Sequence, residues 1–198
     1  MMINPFEIIF EEEDATGVSL PNPIDYNYYL GLKKGYVTLN DDVSDEIIEH
    51  VVFPLQQLDE DPNIKHITLY VNSSGGDPQD GMAVVTQLEK MTTPVTICIL
   101  GRACSAAGYI VMAKGNHIKT VCGKYSIGLI HAGSVDITGD ARNAKDTQAF
   151  LDRYDDILKS FVISHTKITP EKYDEIDRLE FWMTADDMLE LGIVDEII

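Results

Sequence analysis

Ser105 stands in Gly101-Arg102-Ala103-Cys104-Ser105-Ala106-Ala107-Gly108, where an apolar run gives way to a helical pattern. A serine at a strand-to-helix turn has two readings. It is an N-cap, for which serine is favoured, or it is a nucleophile. In the second reading the N–H of Ala106, unpaired at the helix start, would stabilise an oxyanion. The small neighbours Ala103, Ala106, Ala107 and Gly108 let a substrate backbone approach. The segment does not match the G-x-S-x-G elbow of α/β-hydrolases.

A serine nucleophile needs a base, and histidine is the usual one. His131 ends the run Ser126-Ile127-Gly128-Leu129-Ile130-His131, a position where active sites of α/β folds gather. It is equally the place of an ordinary surface histidine. Gly75-Gly76 lies between an apolar run and a capped helix. The pair offers a second backbone donor at Gly76, or is a plain turn. An acid to orient the histidine is sought among Asp174, Glu175, Asp177 and Glu180, and spacing alone does not choose. No H-E-x-x-H or other metal-ligand spacing occurs.

The elements that position these residues follow from periodicity. Helical spacing runs from Val43 to Leu58, through Ile47, Ile48, Val51, Val52 and Leu55. His66–Val71 is a strand, and Asp77-Pro78 caps and opens a helix burying Met82, Val85 and Leu88. Val95–Leu100 is nearly all apolar, as a strand covered on both faces should be, and Gly101 is expected to end it. A helix from Ser105 to Ala113, strands at 117–122 and 126–131, and a long helix over 142–165 follow. Trp182-Met183 is a strand fragment, Thr184–Asp187 a capping box, and Ile193-Val194 a closing strand. Strands alternating with helices predict an α/β fold.

Length and composition bound the function. A chain of 198 residues suits one domain, here residues 25–198, after a mobile N-terminal arm over residues 1–24. The charge is 15 − 33 = −18, which argues against nucleic acid and anionic membranes as partners. Three cysteines without a C-x-x-C pair argue against a disulfide framework or zinc site. With no signal peptide and no long apolar run, a cytoplasmic location is expected.

Taken together, the segments resemble the proteolytic subunit of the Clp protease. They are Leu69-Tyr70-Val71-Asn72-Ser73-Ser74-Gly75-Gly76, Ala103-Cys104-Ser105-Ala106-Ala107, Leu129-Ile130-His131, Phe181-Trp182-Met183-Thr184-Ala185 and Leu191-Gly192-Ile193-Val194-Asp195. The resemblance runs from about Asp25 to Ile198. It implies the ClpP/crotonase fold of repeated strand-strand-helix units with a protruding handle helix, here 142–165. It implies a Ser-His-Asp triad, with Ser105 as nucleophile, His131 as base, and the N–H groups of Gly76 and Ala106 as oxyanion donors. Aligned on Trp182-Met183-Thr184-Ala185, the family's aspartate falls on Glu180, with Asp177 the alternative. His131 is followed by Ala132-Gly133 where the family usually has Gln-Pro.

The implied function is ATP-dependent serine endopeptidase activity on unfolded proteins inside two stacked heptameric rings. The implied partner is an AAA+ unfoldase (ClpX/ClpA/ClpC-like), and the subunit itself needs no cofactor or metal. A catalytically weak or inactive ring subunit is the alternative, motivated by the glutamate. An acyl-CoA enzyme of the crotonase type, which shares the fold, is a third.

Overall fold

A computed structural model describes residues 23–133, 139–176 and 178–198. Most of the arm expected over 1–24 lies outside these residues, and so does Asp177.

The element order is α1 (Pro23–Leu32), β1 (Tyr36–Leu39), α2 (Phe53–Glu60), β2 (Ile67–Ser73), α3 (Pro78–Lys90), β3 (Val95–Cys104) and α4 (Ala106–Val111). Then come β4 (Ile118–Cys122), β5 (Ile127–Ile130), α5 (Ala141–His165), α6 (Pro170–Ile176), β6 (Phe181–Met183), α7 (Ala185–Glu190) and β7 (Glu196–Ile197). One seven-stranded sheet carries the order β1-β2-β3-β4-β7, with β5 joined to the far end of β3 and β6 to β5. All pairings are parallel except β5–β6. This is the α/β architecture expected, and it is consistent with the ClpP fold.

β3 organises the sheet. Its first half pairs with β4 from Val95↔Ile118 to Ile99↔Cys122. Its last three residues pair with β5 through Arg102↔Ile127, Ala103↔Gly128 and Cys104↔Leu129. Gly101 therefore does not end the strand. The strand runs on to Cys104, changing partner on the way, and delivers Ser105 beside the end of β5. Ile97 and Ile99 are fully buried in it, and burying such a side chain stabilises by about 1.5–3 kcal/mol.

Three further expectations shift. The helical pattern of 43–58 is realised only from Ile48, as a π-helical turn over Ile48–Val52 leading into α2. Pro54 stands just after this junction, where it cannot donate the N–H that would continue the bonds of the preceding turn. Val43 instead leaves the helix and forms a parallel bridge to Gly76. The closing strand is Glu196–Ile197, not Ile193-Val194. Those two residues are buried against the core behind α7.

The long helix spans Ala141–His165 and is capped by Asp140, which accepts from the N–H groups of Arg142 and Asn143. Its buried residues, Leu158, Phe161 and Val162, all lie in its last eight residues. The rest is largely exposed, including Phe150 and Ile157.

Candidate active site

Ser105 has φ 53° and ψ −125°. It is the one non-glycine residue with positive φ among the described residues. Such a conformation costs on the order of 1–3 kcal/mol and persists only where the surroundings enforce it. Here the Ser105 N–H donates to Leu129 O at 2.9 Å, and its carbonyl accepts from Gly108 N at 2.8 Å. β5 and α4 thus hold the residue from both sides. Ser105 stands at the N-cap position of α4, but its side chain makes no capping hydrogen bond there. Its hydroxyl is left for another partner.

That partner is His131. Its Nε2 lies 2.9 Å from Ser105 Oγ. With the ring proton on Nδ1, the serine hydroxyl donates to Nε2. His131 directly follows β5, whose last residue, Ile130, is buried. The histidine is itself half-buried. Cys104, the other nucleophilic side chain at this turn, is buried, and burial pushes its thiol pKa up despite Arg102. It remains a neutral thiol facing the core.

The glycine turn abuts the serine turn. Gly75 and Gly76 have φ 97° and 151°. A Cβ on Gly75 would lie 2.4 Å from Cys104 O, 2.7 Å from Ser105 Cβ and 2.9 Å from Ala106 N. A Cβ on Gly76 would lie 2.0 Å from Val43 O. Only glycines permit this approach. Gly75 O accepts from Val43 N at 2.8 Å, and Asp77 N donates to Val43 O at 2.8 Å. In a trans peptide the C=O and N–H point opposite ways, so the Gly76 N–H points away from Val43. Neither it nor the Ala106 N–H has an acceptor among the described residues.

The acid side is less closed. β5 and β6 pair as Gly128↔Met183, Leu129↔Trp182 and Ile130↔Phe181. The next position on that register sets His131 opposite Glu180, one step beyond the ladder. Glu180 is exposed and makes no hydrogen bond or ion pair among the described residues. Asp174 and Glu175 are turned to Lys159 and Lys172.

A shallow cleft of about 180 Å³, counting space open to solvent, is lined by Ser105, Gly108, Tyr109, Met112, Ile130 and His131. Gly108, Tyr109 and Met112 follow Ser105 at three, four and seven residues, one face of a helix. That spacing was readable in the sequence, although the apolar wall it builds was not anticipated. No cluster of His, Cys, Asp and Glu able to hold a metal occurs among the described residues. No helix among them is long and apolar enough to cross a membrane.

A family model described as Clp protease matches residues 24–198. The chain belongs to the Clp protease family. It is similar to ATP-dependent Clp protease proteolytic subunits of Dehalococcoides mccartyi. Those of strains BAV1 and CBDB1 are 26% identical over 171 residues, covering 86% of this chain and 85% of each relative. That of strain 195 is 25% identical over the same length. The family is one of peptidases, so the Ser105–His131 contact lies in a chain whose relatives cut peptide bonds.

Proposed function

We propose that residues 25–198 form one serine endopeptidase domain in which Ser105, His131 and Glu180 are the triad. The observation that carries this is the 2.9 Å contact between Ser105 Oγ and His131 Nε2, made where two N–H groups lie without acceptors. His131 takes the proton of Ser105 as Oγ attacks the scissile carbonyl. The N–H groups of Gly76 and Ala106 hold the resulting oxyanion. His131 then gives the proton to the leaving amine, and the acyl-enzyme remains on Ser105. Water, deprotonated by His131, releases the second product and restores the serine. Glu180 reaches Nδ1 of His131 by a rotamer change from its position beyond the β5–β6 ladder and stabilises the imidazolium.

In this reading the subunit works in the cytoplasm as part of two stacked heptameric rings. The exposed Phe150 and Ile157 of α5 meet their counterparts across the rings. An AAA+ unfoldase of the ClpX, ClpA or ClpC kind uses the ATP and feeds unfolded polypeptide into the chamber. The chain itself needs no metal or cofactor.

A second reading, a ring subunit with little activity, is favoured by one observation: the Glu180 carboxylate makes no contact with His131. Purified protein given a fluorogenic peptide and a fluorophosphonate probe separates the two. The expected result is labelling at Ser105, with kcat/KM lowered at least about a thousandfold by Ser105→Ala. Activity unchanged in Ser105→Ala would overturn the triad. Assembled rings that neither label nor hydrolyse would establish the second reading.

A further inference from the structure

We propose that Ser73 is a positioning residue for the Gly76 oxyanion donor, acting through the Gly75 N–H. This rests on the serine-peptidase reading above. Ser73 ends β2 and is 1% exposed. Its Oγ accepts from Gly75 N at 3.1 Å, across two residues. A bulge between Val71 and Ser73 shifts the β2–β3 register, so that Ser73 pairs with Ala103, two residues before Ser105.

Gly75 is therefore held at both of its peptides. The Ser73 hydroxyl fixes the peptide that precedes it. Val43 N–H fixes the one that follows through Gly75 O at 2.8 Å. The second peptide is the one that carries the Gly76 N–H. A glycine with φ 97° followed by another with φ 151° has no side chain to restrict rotation. Without anchors, this peptide would sample several orientations. Gly75 also packs directly on the Ser105 turn, with ideal Cβ distances of 2.7 Å to Ser105 Cβ and 2.9 Å to Ala106 N. Releasing the Gly75 N–H lets the donor turn away, and shifts it relative to both the nucleophile and the Ala106 donor. An oxyanion donor acts mainly in the transition state, so its misalignment lowers kcat and leaves KM nearly unchanged.

The test compares Ser73→Ala with Ser73→Cys in the full chain. Alanine removes the acceptor and leaves a small void. Cysteine fills the space but is a weak acceptor. We expect both to lower kcat about ten- to hundredfold, with KM within about twofold, melting temperature and ring assembly close to wild type, and slower fluorophosphonate labelling. Wild-type kcat in folded Ser73→Cys would show that the site needs volume rather than an acceptor, and would overturn the inference. A fall in melting temperature alone, with kcat per folded site unchanged in both variants, would overturn it too. If wild type itself shows no Ser105-dependent labelling, the serine-peptidase reading fails first.

Discussion

Ser105 and His131 follow strands bonded on two sides, whereas Glu180 precedes a strand bonded on one among the described residues. The serine follows β3, which is bonded on one side to β2 and on the other to β5 near its end. The histidine follows β5 directly. Two backbone hydrogen bonds and a glycine packed at van der Waals limits leave Ser105 little freedom. β6 is three residues long, pairs only with β5 among the described residues, and exposes Trp182. The serine and the histidine are thus built into the sheet, and the glutamate is hung from its edge. Residues on packed ladders are positioned before substrate arrives. An exposed acid at a strand end is positioned by what binds next to it.

Changes on the ladder side should have the largest effects. Gly75→Ala forces a Cβ to 2.4 Å from Cys104 O at φ 97°. We expect at least a hundredfold loss of kcat/KM, with a melting temperature lower by several degrees. Gly133→Ala is the control. It has a similar positive φ of 74° but nothing within 4 Å of the added Cβ. Its cost should be about 1 kcal/mol of backbone strain, read as a small shift in thermal melting. Equal effects from the two would break the contrast between crowded and open turns.

Glu180→Gln should have a middling effect. It removes the charge that would stabilise the imidazolium and is expected to lower kcat about ten- to hundredfold in peptide hydrolysis. Glu180→Asp keeps the charge and should recover part of that loss. Wild-type kinetics in Glu180→Gln would move the search for the acid to Asp177.

The smallest effect belongs to the cap that fastens β6 to α7. Thr184 Oγ1 accepts from Asp187 N, and Asp187 accepts from Thr184 N at 2.8 Å. Thr184→Ala should cost about 1 kcal/mol, or roughly 2–4 °C in melting temperature at neutral pH. Hydrogen bonds from the Thr184 N–H and hydroxyl hold the Asp187 carboxyl below its usual pKa. The sign follows from that lowering: the stability it brings is present above the unfolded value of about 3.9. It is lost as pH falls through the lower folded value. The gap between wild type and Thr184→Ala in melting scans should therefore narrow below about pH 4.

Much of the ladder side was legible in the sequence. An all-apolar run at 95–100, glycines at 75–76 and a histidine ending the run at 126–131 each carry a local cause. What escaped was non-local. Nothing near Gly101 signals that β3 continues by changing partners from β4 to β5. Nothing near Val43 signals that it leaves a helical pattern to bond Gly75 and Asp77. Ser105 read equally well as a cap, because serine is common at that position whether or not its side chain turns back to the helix. The acid was the least legible part. Its place depends on a register step beyond a three-residue strand, and local composition offers several carboxylates.

The bond between Ser105 and His131 spans 26 residues of chain, and the bond from Val43 to Gly75 spans 75 − 43 = 32. Neither contact can form within a single local segment; both wait for parallel strands that pair slowly. A lone serine hydroxyl is a weak nucleophile. During synthesis, then, the nascent chain holds the serine hydroxyl apart from the histidine, and the two meet only when the sheet has closed.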